Sequence, residues 1–226
     1  MRYHALACDY DGTLATHGTV DEPTLEALAR LRNSGRKLVL VTGRELDDLH
    51  RVFPHLDYFD RVVAENGALL YRPSSCEELA LAQAPSAEFI AGLRERDVNP
   101  LSVGRVIVAT WEPFHTTARD LIRALDLELQ VVFNKGAVMV LPFGVDKATG
   151  LKAALAELGL SVHQSVGIGD AENDEIMLSA CRCSAAVANA LQRTKEFADI
   201  VTERSHGAGV AELIDRIIAT DLEELG

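Results

Sequence analysis

The sequence predicts an α/β fold whose core is a doubly wound parallel sheet, with a small α+β unit inserted into it, and three observations carry that prediction. Short apolar runs alternate with stretches of helical periodicity at both ends of the chain. Three of those runs close on small polar clusters: Asp9-Tyr10-Asp11-Gly12-Thr13-Leu14 after Ala5–Cys8, Thr42-Gly43-Arg44 after Lys37–Val41, and Gly169-Asp170-Ala171-Glu172-Asn173-Asp174 after residues 162–168. Between about residues 83 and 142 the order changes to helix, strand, helix and two strands in close succession.

The bulk composition sets limits. At 226 residues and 48% hydrophobic content, the chain can bury the core of one large domain or of a domain carrying a smaller insertion. A formal net charge of -12 argues against a general nucleic-acid binder, whose affinity rests on clustered Lys and Arg. An anionic ligand must therefore be drawn to a local positive site. No apolar stretch reaches transmembrane length and no secretory leader is legible, so no membrane association and a cytoplasmic location are expected. Of Cys8, Cys76, Cys181 and Cys183, only the last two are close in sequence. Without a second Cys pair or a Cys/His set, they read as small buried residues beside a strand rather than as a metal or redox site.

Taken in order, Ala5–Cys8 is a buried strand that ends in two carboxylates, Asp9 and Asp11, at the edge where open α/β sheets place their chemistry. An acidic Asx turn accounts for the same residues equally well. A calcium loop does not, because it needs a further acid or amide before the Gly and a Glu beyond it. Pro23 suits a first helical turn, and Leu25, Leu28, Ala29 and Leu31 form an apolar face that stops at Gly35. Lys37–Val41 is the second strand. Thr42, Gly43 and Arg44 after it offer a hydroxyl, an accessible N–H and a guanidinium to an anion, while Thr42 could also cap the helix expected over 45–53.

Arg61–Ala64 and residues 68–71 read as strands joined by Glu65-Asn66-Gly67, where a hairpin turn is enough to explain Asn66 and Gly67. Residues 72–85 read as a connection out of the first unit. The inserted segment is expected to hold helices over 87–96 and 116–125 and strands over 105–111, 128–133 and 137–141. The last two are antiparallel, because Asn134-Lys135-Gly136 is too short for a crossover. Trp111 and His115 fall inside the inserted segment; either could touch a substrate, but a large aromatic in a small unit is expected in its core.

A helix over 146–158 follows, with Lys147 in its first turn. Macrodipole logic disfavours Lys there unless it meets an anion; otherwise it is a solvated surface residue. The strand over 162–168 runs into the second acidic cluster, which also fits an acid-rich helix start. Strands over 184–187 and at Ile200–Val201, with helices over 191–197 and 209–222, complete the sheet.

Parallel strands bring their C-termini to one edge, so Asp9, Asp11, Thr42 and Asp170 can converge. Converging carboxylates repel unless a cation sits among them, and hard oxygen donors suit Mg²⁺. With Lys147, Thr42 and backbone N–H groups, such an ion would hold a phosphate. The four clusters in this order resemble the motifs of the haloacid dehalogenase superfamily, and specifically its Cof-like, type IIB-capped phosphatases. The resemblance covers nearly the whole chain, insertion included. It implies a Rossmann-like catalytic core over residues 1–82 and 143–226 and a cap over 83–142. The one small departure is Ala148 after Lys147, where relatives often carry Gly.

The resemblance also implies residue roles. Asp9 is the nucleophile, Asp11 the general acid and base, and Thr42 and Lys147 complete the catalytic set. Thr42, Gly43, Arg44, Lys147 and Asn173 bind substrate. Asp9 and Asp170 hold Mg²⁺ directly, Asp174 binds it or orients its waters, and Asp11 contributes its backbone carbonyl. Asn134, Lys135 and Gly136 would face the core from the cap hairpin. The implied reaction is hydrolysis of a small phosphorylated metabolite, phosphoglycolate or a sugar phosphate such as sucrose phosphate, by a monomer or homodimer. Glu65-Asn66-Gly67, the compact cap and Val-Asp-Lys look most like archaeal-type phosphoglycolate phosphatases. A phosphomutase of the same superfamily and a receiver-type phosphoacceptor module are the rival readings; the inserted unit and Asp170 with Asp174 weigh against the receiver.

Overall fold

A computed structural model describes residues 1–223 of the chain; the last three residues of the expected core segment 143–226 lie outside it. β1 (Ala5–Cys8) leads through the acidic turn to α1 (Glu22–Asn33), which the Asp21 side chain caps and which ends at Gly35, whose φ of 87° closes the helix as only glycine does without strain. β2 (Lys37–Val41), α2 (Leu46–Val52), β3 (Arg61–Ala64) and β4 (Leu69–Arg72) follow, with β5 (Glu77–Ala80) after them. Next come α3 (Ala87–Arg94), β6 (Ser102–Val103), β7 (Val108–Trp111), α4 (His115–Ala124), β8 (Leu129–Asn134) and β9 (Ala137–Pro142). The chain closes with α5 (Lys147–Glu157), β10 (Ser165–Gly169), α6 (Glu175–Ala180), β11 (Cys183–Ala186), α7 (Gln192–Phe197), β12 (Ile200–Val201) and α8 (His206–Thr220).

Two sheets result. The larger has the order β12-β11-β10-β1-β2-β3-β4-β5, parallel from β12 to β3 and antiparallel over β3, β4 and β5. The smaller, β6-β7-β9-β8, is antiparallel throughout. Alternation along the strands buries both faces of the large sheet. Leu6, Cys8, Leu38 and Leu40 pack with Leu28 and Leu31 of α1 and Leu213 and Ile214 of α8. Ala5, Ala7, Val39 and Val41 pack with Leu151 and Leu155 of α5 and Met177 of α6. The smaller sheet has its own core, in which Phe89 and Leu93 of α3 and Leu121 of α4 meet Val108 and Val140.

Four expectations need correction. Residues 72–85 are not only a connection, because β5 pairs with β4 there. All four of its residues are exposed, so it carries no apolar period. The strand expected over 105–111 starts at Val108, since the N–H groups of residues 105–107 are taken by the Glu65 side chain. Residues 162–164 form a 3₁₀ turn before β10. Trp111 is not in the core; it is 53% exposed.

Candidate active site

β10, β1 and β2 are neighbours in the sheet, and their C-terminal ends bring the three polar clusters to one edge. Asp9 follows β1 directly and is tied by its N–H to the Ile168 carbonyl of β10, which fixes the two strand ends relative to each other. The question raised by Lys147 is answered by its surroundings. Its side chain is 1% exposed, and Nζ stands 2.5 Å from Asp9 Oδ1 and 2.5 Å from Asp174 Oδ1. Asp146 caps α5, its carboxylate accepting from the Thr149 N–H, and so places Lys147 at the first helical position. Gly67 lets the hairpin lie against that helix start: a Cβ there would come within 1.9 Å of the Asp146 carbonyl oxygen.

Asp174 is held by its other oxygen, Oδ2, which accepts from the N–H groups of Asp170 at 2.9 Å and Ala171 at 3.0 Å. Asp170 receives the Thr13 hydroxyl on Oδ1 and Lys135 Nζ on Oδ2, at 3.2 and 2.5 Å. Asp9, Asp170 and Asp174 are buried, and each offers an oxygen within 4.8 Å of the others. Burial pushes the Asp9 carboxyl well above the ordinary aspartate value; Asp174 adds to the rise and Lys147 opposes it. Burial likewise raises Asp170, with Lys135 pulling the other way. Burial alone would lower Lys147, but Asp174 and Asp9 outweigh it and hold its ammonium above the ordinary lysine value. The donor set is therefore all hard oxygen, crowded and charge-stressed, which fits Mg²⁺.

Asp11 points elsewhere. Arg44 grips its carboxylate bidentately, Nε to Oδ2 at 2.6 Å and Nη2 to Oδ1 at 2.7 Å, and also pairs with Asp48 of α2. The Asp11 hydrogen bond is the main cause of a raised Arg44 pKa. Thr42 is buried and does not cap α2, which starts after Glu45; its hydroxyl accepts from the Arg44 N–H. Asp9, Asp11, Gly43 and Arg44 all line a cavity of about 810 Å³, whose opposite wall comes from the smaller sheet, including Trp111, Lys135 and Met139.

Comparison with known proteins decides what kind of chain this is. The model of the haloacid dehalogenase-like hydrolases matches residues 6–105 and 93–214. The chain belongs to that family. Phosphoglycolate phosphatase 2 of Saccharolobus solfataricus is 28% identical over 221 residues, covering 95% of this chain and 92% of the relative. The phosphoglycolate phosphatase of Methanothermobacter thermautotrophicus is 31% identical over 225 residues, covering 95% and 98%. Among solved structures, a Thermoplasma acidophilum protein superposes with a TM-score of 0.79 at 17% identity over 99% of both chains. A HAD subclass IIB sugar phosphatase gives 0.74 at 18%, covering 94% of this chain and 98% of that one. The chain is an enzyme, a phosphoric monoester hydrolase of the haloacid dehalogenase superfamily.

Every residue singled out in this family member's four clusters lies at the same sheet edge, Asn173 included, whose Nδ2 donates to Asn66 Oδ1. The hairpin reading of Asn66 and Gly67 holds, with β3 and β4 antiparallel across it, yet the Asn66 side chain is also buried in the site's support. Two contributions, those of Glu65 and Asp48, were not legible, and for Trp111 contact with substrate was the lesser of two readings. Glu65 is fully buried, and its carboxylate accepts from the N–H groups of Arg105, Val106 and Ile107 at 2.7 to 2.8 Å. Asp48 backs Arg44, and Trp111 lines the cavity. For Glu65 the only signal was an acid at the end of an apolar strand, the same signal that marked Asp9.

Proposed function

We propose that this chain is a Mg²⁺-dependent phosphatase that hydrolyses a small phosphate monoester, phosphoglycolate or a sugar phosphate, through an aspartyl-phosphate on Asp9. The observation that carries the reading is the buried Lys147 ammonium clamped between Asp9 and Asp174 beneath the cavity. It holds the nucleophile in place and neutralises it as an anionic ester approaches. In the first step an Asp9 oxygen attacks phosphorus in line, the ester P–O bond breaks, and Asp11 gives its proton to the leaving oxygen. In the second, Asp11 takes a proton from water as the water oxygen attacks phosphorus, releasing inorganic phosphate and restoring the Asp9 carboxylate.

Arg44 occupies both Asp11 carboxylate oxygens in this structure, so Asp11 acts as acid and base only after one of them leaves the guanidinium for the leaving oxygen or the water. The Thr42 hydroxyl, the Gly43 N–H and Lys147 receive the phosphoryl oxygens, with Asn173 and Arg44 beside them. Asp9, Asp170 and Asp174, with the Asp11 carbonyl, would hold Mg²⁺, which supplies further neutralisation of phosphoryl charge. Residues 83–142 would act as a cap over a catalytic core formed by 1–82 and 143–226, excluding water and selecting the leaving group. Phosphoglycolate is favoured by the names of the two relatives above. A cytoplasmic enzyme, acting as monomer or homodimer, completes the reading; no helix of the described residues is long and apolar enough to cross a membrane.

The test is phosphate release from a panel of phosphorylated metabolites with and without Mg²⁺. Asp9→Asn should abolish release by at least about a thousandfold while leaving the melting curve two-state. Asp11→Asn should slow it and trap a phosphoenzyme visible by mass spectrometry. Undiminished turnover by Asp9→Asn refutes the mechanism, and isomerised product without phosphate release replaces the phosphatase with a mutase.

A further inference from the structure

The cavity wall carries several cations, and their partners divide them. Arg44 is held by Asp11 and Asp48, and Arg51 by Asp48. His50 lies edge-on to the Tyr71 ring. Lys147 lies beneath the cavity at 1% exposure and is not part of its wall. Lys135 differs from all of these. It comes from the β8–β9 hairpin of the smaller sheet, its side chain is 46% exposed, and its ion-pair partner is Asp170, a member of the acidic triad. Among the described residues it is the one cation of the cavity wall whose carboxylate is also a candidate metal ligand.

The hairpin that presents it is built for a defined position. Lys135 and Gly136 both have positive φ, 47° and 87°, the geometry of a two-residue turn between right-twisted strands. A Cβ at Gly136 would lie 3.8 Å from the Trp111 ring, so the indole backs the turn from the neighbouring strand. A Cβ at Gly12 would lie 3.1 Å from Lys135 Nζ, which places the ammonium directly over the Asp9–Gly12 turn.

We propose that Lys135 selects substrates with a second anionic group: it and a divalent cation draw on the same Asp170 carboxylate, and on exchange its ammonium turns to a carboxylate close to the phosphate ester. The inference rests on the phosphatase reading above and names the substrate class within it, a compact phosphorylated carboxylic acid rather than a neutral polyol phosphate. Exchange follows from charge. A divalent ion among three buried carboxylates binds Asp170 more strongly than a half-exposed ammonium does, and the released lysine keeps its charge in the same cavity. Of the wall's arginine and lysine side chains, Arg44 and Arg51 keep Asp11 and Asp48, so Lys135 is the one freed for an incoming carboxylate. The hairpin belongs to the inserted segment, so this selection is made by residues outside the four clusters that carry the chemistry.

The experiment has two arms and three proteins: wild type, Lys135→Met and Lys135→Arg. In the first, Mg²⁺ binding is measured by calorimetry without substrate; the Met variant should bind at least threefold more tightly than wild type, because the competing cation is gone. In the second, kcat/KM is compared for 2-phosphoglycolate and 2-hydroxyethyl phosphate, which differ in replacing the carboxylate by a hydroxymethyl group. The ratio of the two values should fall at least tenfold in Lys135→Met, mainly through KM for 2-phosphoglycolate, and recover in large part in Lys135→Arg. An equal loss on both esters, or unchanged Mg²⁺ affinity in a variant that melts like wild type, overturns the proposal. Wild-type protein that hydrolyses sugar phosphates but not 2-phosphoglycolate also overturns the proposal, whereas protein inert toward both classes refutes the phosphatase reading instead, and the calorimetric arm still judges the competition for Asp170.

Discussion

Replacing Lys147 by Met removes one buried charge while keeping most of its volume, and the structure sets the scale of the loss. Two carboxylates lose a partner at 2.5 Å in a site with almost no solvent. Breaking one buried pair by removing a partner costs about 3–5 kcal/mol, because the remaining charge is left uncompensated. The second carboxylate does not double that figure, since Asp174 keeps the N–H groups of Asp170 and Ala171. Asp9 carries most of the loss. At about 2–4 °C per kcal/mol for a chain of this size, Lys147→Met should melt roughly 6–20 °C below wild type. A ligand that binds only the folded state adds about 2.7 kcal/mol at a hundred times its Kd. Mg²⁺ should therefore raise the melting temperature of the variant by more than it raises that of wild type, because it now meets three carboxylates with one fewer competing ammonium. The assay is thermal denaturation followed by circular dichroism, with Mg²⁺ titrated from zero, alongside phosphate release. A variant that melts within about 2 °C of wild type and gains no more from Mg²⁺ would refute the view that Lys147 neutralises this site.

Two further outcomes follow from groups away from the chemistry. Glu65→Gln should cost about 1–3 kcal/mol, since an amide presents only one acceptor oxygen: turned toward Val106 and Ile107 it faces the Arg105 N–H with a donor. Hydrogen exchange should then quicken at the Arg105 amide more than at Val106 or Ile107. Glu157, bound by Arg72 and Arg61, has its pKa lowered from 4.5 to about 2, chiefly by the Arg72 hydrogen bond. Its contribution is present above pH 4.5 and fades as pH falls toward 2. The stability gap between wild type and Glu157→Gln in urea should be full at pH 7 and close across that window.

The parts of the site that could be read from the chain share one property: each follows an apolar strand directly. Asp9, Thr42 and Asp170 are local signals, and parallel topology then forces them to one edge. Lys147 stood out locally as an anomaly, a cation at a helix start, and the resemblance gave it a role; the fold then supplied its two partners, Asp9 and Asp174. What escaped has no local period. β5 is exposed on every residue and β6 has two residues, so neither leaves a hydrophobic pattern. Trp111 looked like core because of its size; its strand turns it toward the cavity, where the hairpin glycine rests near it. The Glu65 carboxylate accepts from three N–H groups of a segment 40 residues or more away, a pairing that no spacing rule encodes.

The order of strands in the large sheet also has a consequence for synthesis on the ribosome. Asp9 waits for Lys147 across 138 residues, and Thr13 for Asp170 across 157. β1 and β2 emerge early and can pair, and α5 packs on β2 and can bring Lys147 to Asp9, but β10 must dock on the other side of β1 before Asp170 meets Thr13. Until then the emerging chain carries Asp9 and Asp11 on a strand with one open edge, the kind of surface that invites wrong pairing. The acidic triad is therefore assembled only once β10 has docked, with β11, β12 and α8 still to follow.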